Sequence, residues 1–174
     1  MLARMNRGYT REIYLERVEA LREVCPSIGI TSDVIVGFPG EEDEDFAATL
    51  LLMAEVRFDS LFSFRYSERE GTAAADYPEK VAESVKRERL QRLQGLQDEH
   101  TLARNEALVG STEEILIEGS SKNAACDMSG RTRSYKIVNF SGDHAAAGMT
   151  VPVKITAAYL HSLRGELREK EDQR

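Results

Sequence analysis

Gly29-Ile-Thr-Ser-Asp-Val-Ile-Val-Gly-Phe-Pro-Gly-Glu41 is the stretch that decides the fold. Its first eight residues are short, β-branched and almost wholly apolar, the pattern of a strand buried on both faces in a parallel sheet. Gly37-Phe-Pro-Gly40 breaks the strand, and five consecutive acids, Glu41 to Asp45, suit the positive end of a following helix. Phe46, Leu50, Met53 and Ala54 form that helix's apolar stripe. Upstream, Thr10 caps a helix with Glu12 in its first turn. Tyr14, Val18, Leu21 and Cys25 follow at helical spacing, and Pro26 ends the run. Downstream, Ser60-Leu-Phe-Ser-Phe-Arg-Tyr66 reads as a second strand. Helix–strand–helix–strand at this spacing is a β/α repeat. Two parallel strands do not make a stable domain, so this half reads as incomplete.

Residues 79–108 form one long charged helical stretch with Val85, Leu93, Leu96, Ala103 and Ala107 on one face, and Gly110 to end it. Beyond residue 111 the period becomes two. Glu114-Ile-Leu-Ile-Glu118, Tyr135-Lys-Ile-Val-Asn-Phe140, Thr150-Val-Pro-Val-Lys-Ile-Thr156 and Ser162-Leu-Arg-Gly-Glu-Leu167 read as strands. Pro152 belongs at an edge, or where a missing N–H would face solvent. Four or five short strands without a helix indicate a small barrel of the OB type. The fold class is therefore α/β plus all-β, a partial (β/α) barrel followed by a small OB-like β-barrel. Its expected parts are 1–78, a connecting helix over 79–109, a barrel over 110–168 and a disordered tail over 169–174.

The net charge of −7 argues against nucleic acid only as an average. Residues 1–108 hold 14 Lys+Arg against 21 Asp+Glu, whereas residues 109–174 hold nine of each, grouped by sign. The only cysteines, Cys25 and Cys126, form no CxxC and no Cys/His cluster, so no metal ligands are assigned. No apolar run approaches the roughly 20 residues of a membrane span, and no signal peptide opens the chain. A reducing cytoplasmic setting without a membrane partner is expected. His100, His144 and His161 have no partner at a useful spacing.

Three stretches carry the residues of interest. Asp33 to Glu41 lies where a β/α sheet binds ligands, beyond the strand's C-terminal end. Five carboxylates would repel a phosphate, but suit a cationic ligand or a ribose hydroxyl; a tight turn with helix-dipole acids and no ligand is the competing reading. Arg65-Tyr-Ser-Glu-Arg-Glu-Gly-Thr72 places donors, an aromatic and a glycine beside it, or is a solvated polar loop. In the last stretch, Ser129-Gly-Arg-Thr-Arg-Ser-Tyr-Lys-Ile-Val-Asn-Phe140, no acid occurs between Met128 and Gly142. On a strand, Arg131, Arg133 and Tyr135 would project from one face beside Lys136, with Lys122, Lys154 and Arg164 extending the patch. Such a basic, aromatic-bearing strand can hold unpaired RNA, although a solvated strand face has the same composition.

Met5-Asn-Arg-Gly-Tyr-Thr10, Thr31 to Glu41, Phe64-Arg-Tyr-Ser-Glu-Arg-Glu-Gly-Thr72 and Gly130 to Phe140 resemble the MiaB-type tRNA methylthiotransferases, and the likeness runs to about Leu167. It implies a radical S-adenosylmethionine enzyme that adds a methylthio group to C2 of an isopentenyl-adenosine beside the anticodon. It further implies two [4Fe–4S] clusters, and a C-terminal TRAM barrel that binds the tRNA anticodon stem-loop. By this likeness Asp33, Gly37, Glu41 and Tyr66 face S-adenosylmethionine, while Lys122, Arg131, Arg133, Tyr135, Lys136 and Arg164 face RNA. The six cluster cysteines of the family have no counterpart here, so no catalytic residue is assigned and the chain alone is expected to be an inactive C-terminal piece. Exposed barrel edges predict a homo-oligomer. A stand-alone RNA-binding module with a dimerising α/β scaffold is the alternative.

Overall fold

The computed structural model describes residues 1–121, 127–141 and 146–168. The chain forms two compact units, Met1–His100 and Thr101–Arg174.

In the first unit, helix α1 (Arg11–Val24) starts at Thr10, whose hydroxyl accepts the Ile13 N–H at 3.4 Å. Val18 is its buried residue, with Tyr14 and Leu15 packed beside it. Leu21 and Cys25, expected on the same face, are exposed. Strands β1 (Thr31–Val36) and β2 (Ser60–Arg65) pair in parallel, Thr31 opposite Ser60 through to Val36 opposite Arg65. Helix α2 (Asp43–Val56) connects them. It begins two residues later than the run of acids, with Glu42 and Asp45 closing a reciprocal capping box. Phe46, Met53 and Val56 are buried, whereas Ala54 faces solvent.

The expectation that β1 is buried on both faces does not hold. Val34, Val36 and Leu61 join the core with Val18, Phe46, Met53, Phe58 and Leu93. The opposite face of the sheet presents Ile35 (38 % exposed), Phe62 (64 %) and Phe64 (54 %). The helices cover one side of a two-stranded sheet and leave the other open, so an apolar strand sequence becomes half-exposed.

Helix α3 (Glu83–Glu106) starts later than expected, after a short 3-10 turn at Ala73–Asp76. Its inward residues within the first unit are Lys86, Arg89, Leu93, Gln97 and His100. Val85 and Leu96 are only half-buried, and Ala107 lies beyond the helix and is exposed. The buried face of α3 is thus mainly polar, with Leu93 its fully buried apolar side chain.

The second unit is a closed barrel of β3 (Thr112–Ser120), β4 (Asp127–Arg131), β5 (Ile137–Ser141), β6 (Thr150–Ala158) and β7 (Leu163–Leu167), in the order β3-β4-β5-β7-β6. Only β5 and β7 run parallel. Ile115, Ile117, Val138, Phe140, Val153, Ile155 and Leu163 fill the interior. Closure means that β6 is no edge: Pro152 stands opposite Glu114, and its carbonyl accepts the Arg168 N–H at 3.0 Å. Strand β4 is not among the expected strands, since Asp-Met-Ser-Gly-Arg carries no β-branched or aromatic residue. Its Gly130 points inward, where a Cβ would overlap the Leu116 carbonyl and the Ile115 side chain. Gly165 is equally constrained, a Cβ there lying 2.7 Å from the Lys154 carbonyl oxygen.

Gly165→Ala is expected to destabilise the barrel by about 1–3 kcal/mol, since the obstructing atoms include backbone. Gly95→Ala on α3, where a Cβ meets open space, should stabilise by about 0.5–1 kcal/mol. Urea unfolding of both variants against the parent measures the contrast; equal shifts would contradict it.

Candidate functional site

The rim beyond β1 is built around a buried carboxylate. Glu41 accepts the Gly37 N–H at 2.9 Å and the Arg89 guanidinium at 2.7 Å, with both charged side chains only 6 % exposed. Arg89 also donates to the Glu41 carbonyl at 3.1 Å and to Asp43 at 2.7 Å. Burial works against its charge, but the hydrogen bonds to Asp43 and Glu41 outweigh that and raise its pKa. Glu41 is therefore no helix-dipole acid; it is half of an internal ion pair.

Gly37 adopts φ +72°, and its missing Cβ leaves room for the Lys86 stem rather than for an open groove. Lys86 Nζ donates to the Tyr66 carbonyl at 3.2 Å and to Glu83 at 2.7 Å, and stands 5.5 Å from the centre of the Tyr66 ring. Tyr66 packs edge-on against Phe38 at 5.2 Å, and its hydroxyl is buried with no hydrogen-bond partner. Gly37, Glu41 and Tyr66 thus come together, in a tightly packed knot with α3.

Asp33 lies elsewhere, on the open face of β1 opposite Phe62. It borders a cleft of about 660 Å³ whose walls include Leu2, Met5, Tyr9, Ile35, Phe38 and Leu52. Glu41 reaches the same cleft from its other side; Gly37 and Tyr66 do not line it. The hollow is mainly apolar, and its charged margin carries Asp33, Glu41 and Asp45 together with Arg7 and Arg11.

The basic stretch does not form one strand face. Arg131 ends β4, residues 132–136 turn, and β5 begins only at Ile137. The Thr132 N–H donates to the Lys136 carbonyl at 3.0 Å, and the Tyr135 N–H to the Thr132 carbonyl at 2.9 Å. Arg131, Arg133 and Tyr135 therefore share a hairpin instead of alternating along a strand. The turn is set by Thr132, whose hydroxyl also accepts the Lys136 N–H at 3.0 Å.

Acids from the neighbouring strand answer these cations. Arg131 Nε donates to Glu118 at 2.9 Å, and Arg133 pairs with Glu114. Lys136 Nζ donates to Asn105 Oδ1 at 2.9 Å. Arg164 is held by Asp127 and Ser141, at the opposite end of β4 and β5, roughly 13 Å along the strands from Arg131. The hydrogen bond from Arg164 keeps the Asp127 carboxyl below the usual carboxylate range. Lys154 is exposed on β6, and Lys122 lies outside the described residues. The acid-free window of the sequence thus conceals Glu114, Glu118 and Asp127, which only strand pairing brings alongside. Alternation of Glu114 and Glu118 on the outward side of β3 is the signal that marks two of them.

Residues 1–53 match the model of the Radical SAM superfamily, and residues 106–167 match the TRAM domain. The tRNA-2-methylthio-N(6)-dimethylallyladenosine synthase of Syntrophus aciditrophicus is 60 % identical over 167 residues, which are 96 % of this chain and 36 % of the relative. The proteins of the same name from Syntrophobacter fumaroxidans and Moorella thermoacetica are 53 % and 50 % identical, over 96 % of this chain and 37 % and 38 % of their own length. The chain spans a little over a third of the length of the curated relatives it matches.

Arg89→Met should destabilise the first unit by about 3–5 kcal/mol, because it strands a buried carboxylate. The Glu41→Met/Arg89→Met pair should recover much of that loss, since no charge is then left alone. Denaturant unfolding decides; a double variant no better than the single one would show that the pair is not the operative contact.

Proposed function

We propose, from the premise that the chain belongs to the MiaB-type tRNA methylthiotransferase family by both of its segments, that it serves the addition of a methylthio group to C2 of an isopentenyl-adenosine next to the anticodon. Residues 1–78 contribute part of the S-adenosylmethionine and substrate wall, the helical stretch 79–109 connects, and the barrel over 110–168 holds the tRNA anticodon stem-loop. The observation that carries this reading is a radical SAM segment and a closed TRAM barrel in one polypeptide. The setting proposed is the cytoplasm, where tRNA is used.

The residues present fit the implied groups unequally. A [4Fe–4S] cluster needs several thiolates, and Cys25 and Cys126 are the only cysteines. This chain does not supply such a donor set, and no step through a cluster is assigned to it. S-adenosylmethionine suits the cleft beside Asp33 better: the apolar walls take an adenine ring, and Asp33 offers a carboxylate to a ribose hydroxyl. When bound, that cofactor supplies the methyl group and the radical chemistry. Asp33 orients it from the open face of β1, and Glu41, fixed by Arg89, holds the loop that closes the cleft's other side. Gly37 and Tyr66 act on the site through packing, by seating Lys86 and Phe38.

On the barrel, Arg133 is the phosphate contact, being 85 % exposed and able to exchange Glu114 for a phosphate oxygen. Arg131, Tyr135 and Lys136 complete the hairpin surface, with Arg164 and Lys122 as further RNA contacts. The open face bearing Ile35, Phe62 and Phe64 and the unpaired strand edges are proposed to be covered by a second copy, giving a homo-oligomer of the chain. Sedimentation velocity should then show a dimer or larger species; a monomer at all concentrations rejects that part.

The chain alone is expected to bind an anticodon stem-loop RNA without methylthiolating it. Arg133→Gln should reduce the slope of log K against log salt by about 0.7 for unpaired RNA. Salt-independent affinity, or turnover of prenylated tRNA by the reconstituted chain, would sink the respective half of the proposal.

A further inference from the structure

Tyr135 is held in a conformation that tyrosine rarely adopts. Its φ is +66°, in the left-handed region where glycine or asparagine is the ordinary occupant of a turn. The hairpin needs the backbone there, since Thr132 and Lys136 close the turn around it. It does not need the ring, which is 73 % exposed and outside the barrel core. Strained residues with exposed side chains gather at functional positions, and the barrel core gives this side chain no packing role in return for the strain.

What lies against the ring is a cation. The Arg131 guanidinium carbon is 4.1 Å from the ring centre, within cation–π distance. Arg131 is fixed there by two further contacts, Nε to Glu118 at 2.9 Å and a guanidinium nitrogen to the Tyr135 carbonyl at 3.2 Å. Only a quarter of its side chain is exposed. An arginine engaged by a ring, a carboxylate and a carbonyl is poorly placed to take a phosphate. Arg133, two residues on, is the exposed one.

We propose that Arg131 and Tyr135 form a one-sided stacking platform for a single unpaired RNA base, with Glu118 as the residue that positions Arg131 beneath the ring. The inference rests on the reading of the barrel as an RNA-binding domain and divides its cations by role. Arg131 backs the ring and leaves the electrostatic steering to Arg133. A base stacks on the ring's free face, and every base offers such a face, so the platform selects unpaired over paired RNA rather than one base over another. Leu116, half-exposed and directly opposite Arg131 in the register, offers an apolar ledge beside the platform.

The test uses the full chain and fluorescence anisotropy with three labelled RNAs: a short single strand, the same strand with abasic positions, and a fully paired duplex. Tyr135→Phe should bind all three like the parent. Tyr135→Asn should weaken single-strand binding by about 5- to 150-fold with its salt slope unchanged. Its melting temperature should hold or rise, because asparagine relieves the strained φ. On abasic RNA and duplex the two proteins should converge. Arg131→Gln and Glu118→Gln should each lose part of the single-strand preference, again at constant slope. Parental affinity of Tyr135→Asn for the single strand, while Arg133→Gln still weakens binding, overturns the platform and leaves the RNA-binding reading intact. A slope lowered by about 0.7 in Arg131→Gln overturns it too, since Arg131 would then be a phosphate ligand. Absence of RNA binding by the parent chain removes the underlying reading instead.

Discussion

The first unit is organised by one ion pair. A two-stranded parallel sheet buries too little to stand alone, so β1 and β2 depend on what the helices add. Glu41 and Arg89 supply the fixed point of that addition: the pair joins the loop after β1 to the second turn of α3, and Asp43 brings in the start of α2. Desolvating two charges is expensive, and the arrangement is viable because the carboxylate is also satisfied by the Gly37 N–H and the guanidinium by the Glu41 carbonyl. With Arg89 pinned, helical geometry fixes its neighbours. Leu93, one turn on, enters the core, and Lys86, one turn back, lies along Gly37. Gly37 therefore serves α3 packing, Gly40 makes room for the Arg4 guanidinium, and the apolar hollow opens beside Asp33.

The barrel needs no such fixed point, because closure leaves no strand edge and its seven fully buried side chains form a core of their own. Its constraint is space. Gly130 and Gly165 let β4 and β7 approach residues that a methyl group would displace. The same close pairing sets the charges: each outward arginine meets the residue its neighbour strand happens to present. The cations that sequence places in an acid-free block end up beside Glu114, Glu118 and Asp127. In the proposed reading of the barrel, RNA binding on this surface is an exchange of carboxylate for phosphate rather than the filling of an empty positive field, and is therefore sensitive to salt.

What the sequence made legible follows periodicity and capping. Thr10 at the start of α1, the β1-α2-β2 unit and the inward alternation of Ile115, Ile117, Val153 and Ile155 are all local patterns. What it concealed follows partnership. The inward Lys86, Arg89 and Gln97 look like a solvated face until the groups they meet are known, and Glu41 looks like a helix-dipole acid until Arg89 is placed. Strand β4 was hidden because its defining residue is a glycine, chosen for the room it leaves and not for any strand preference. The period-two pattern puts Tyr135 on a strand; the turn instead holds it at positive φ, against tyrosine's own strand preference.

The arginines show why residue type alone does not assign a role. Arg89 is buried and doubly paired, so it can hold structure but cannot answer a ligand without unmaking the unit. Arg133 is almost wholly exposed, and its partner Glu114 is itself in solvent, so replacing that carboxylate by a phosphate costs little. Arg131 lies between them: a carboxylate, a carbonyl and a ring fix it while the ring's far side stays open. Its charge is directed into the aromatic system, and what it offers a ligand is a flat, backed surface. Exposure and the number of fixed partners, rather than position in a basic run, therefore order these side chains from scaffold through platform to electrostatic contact.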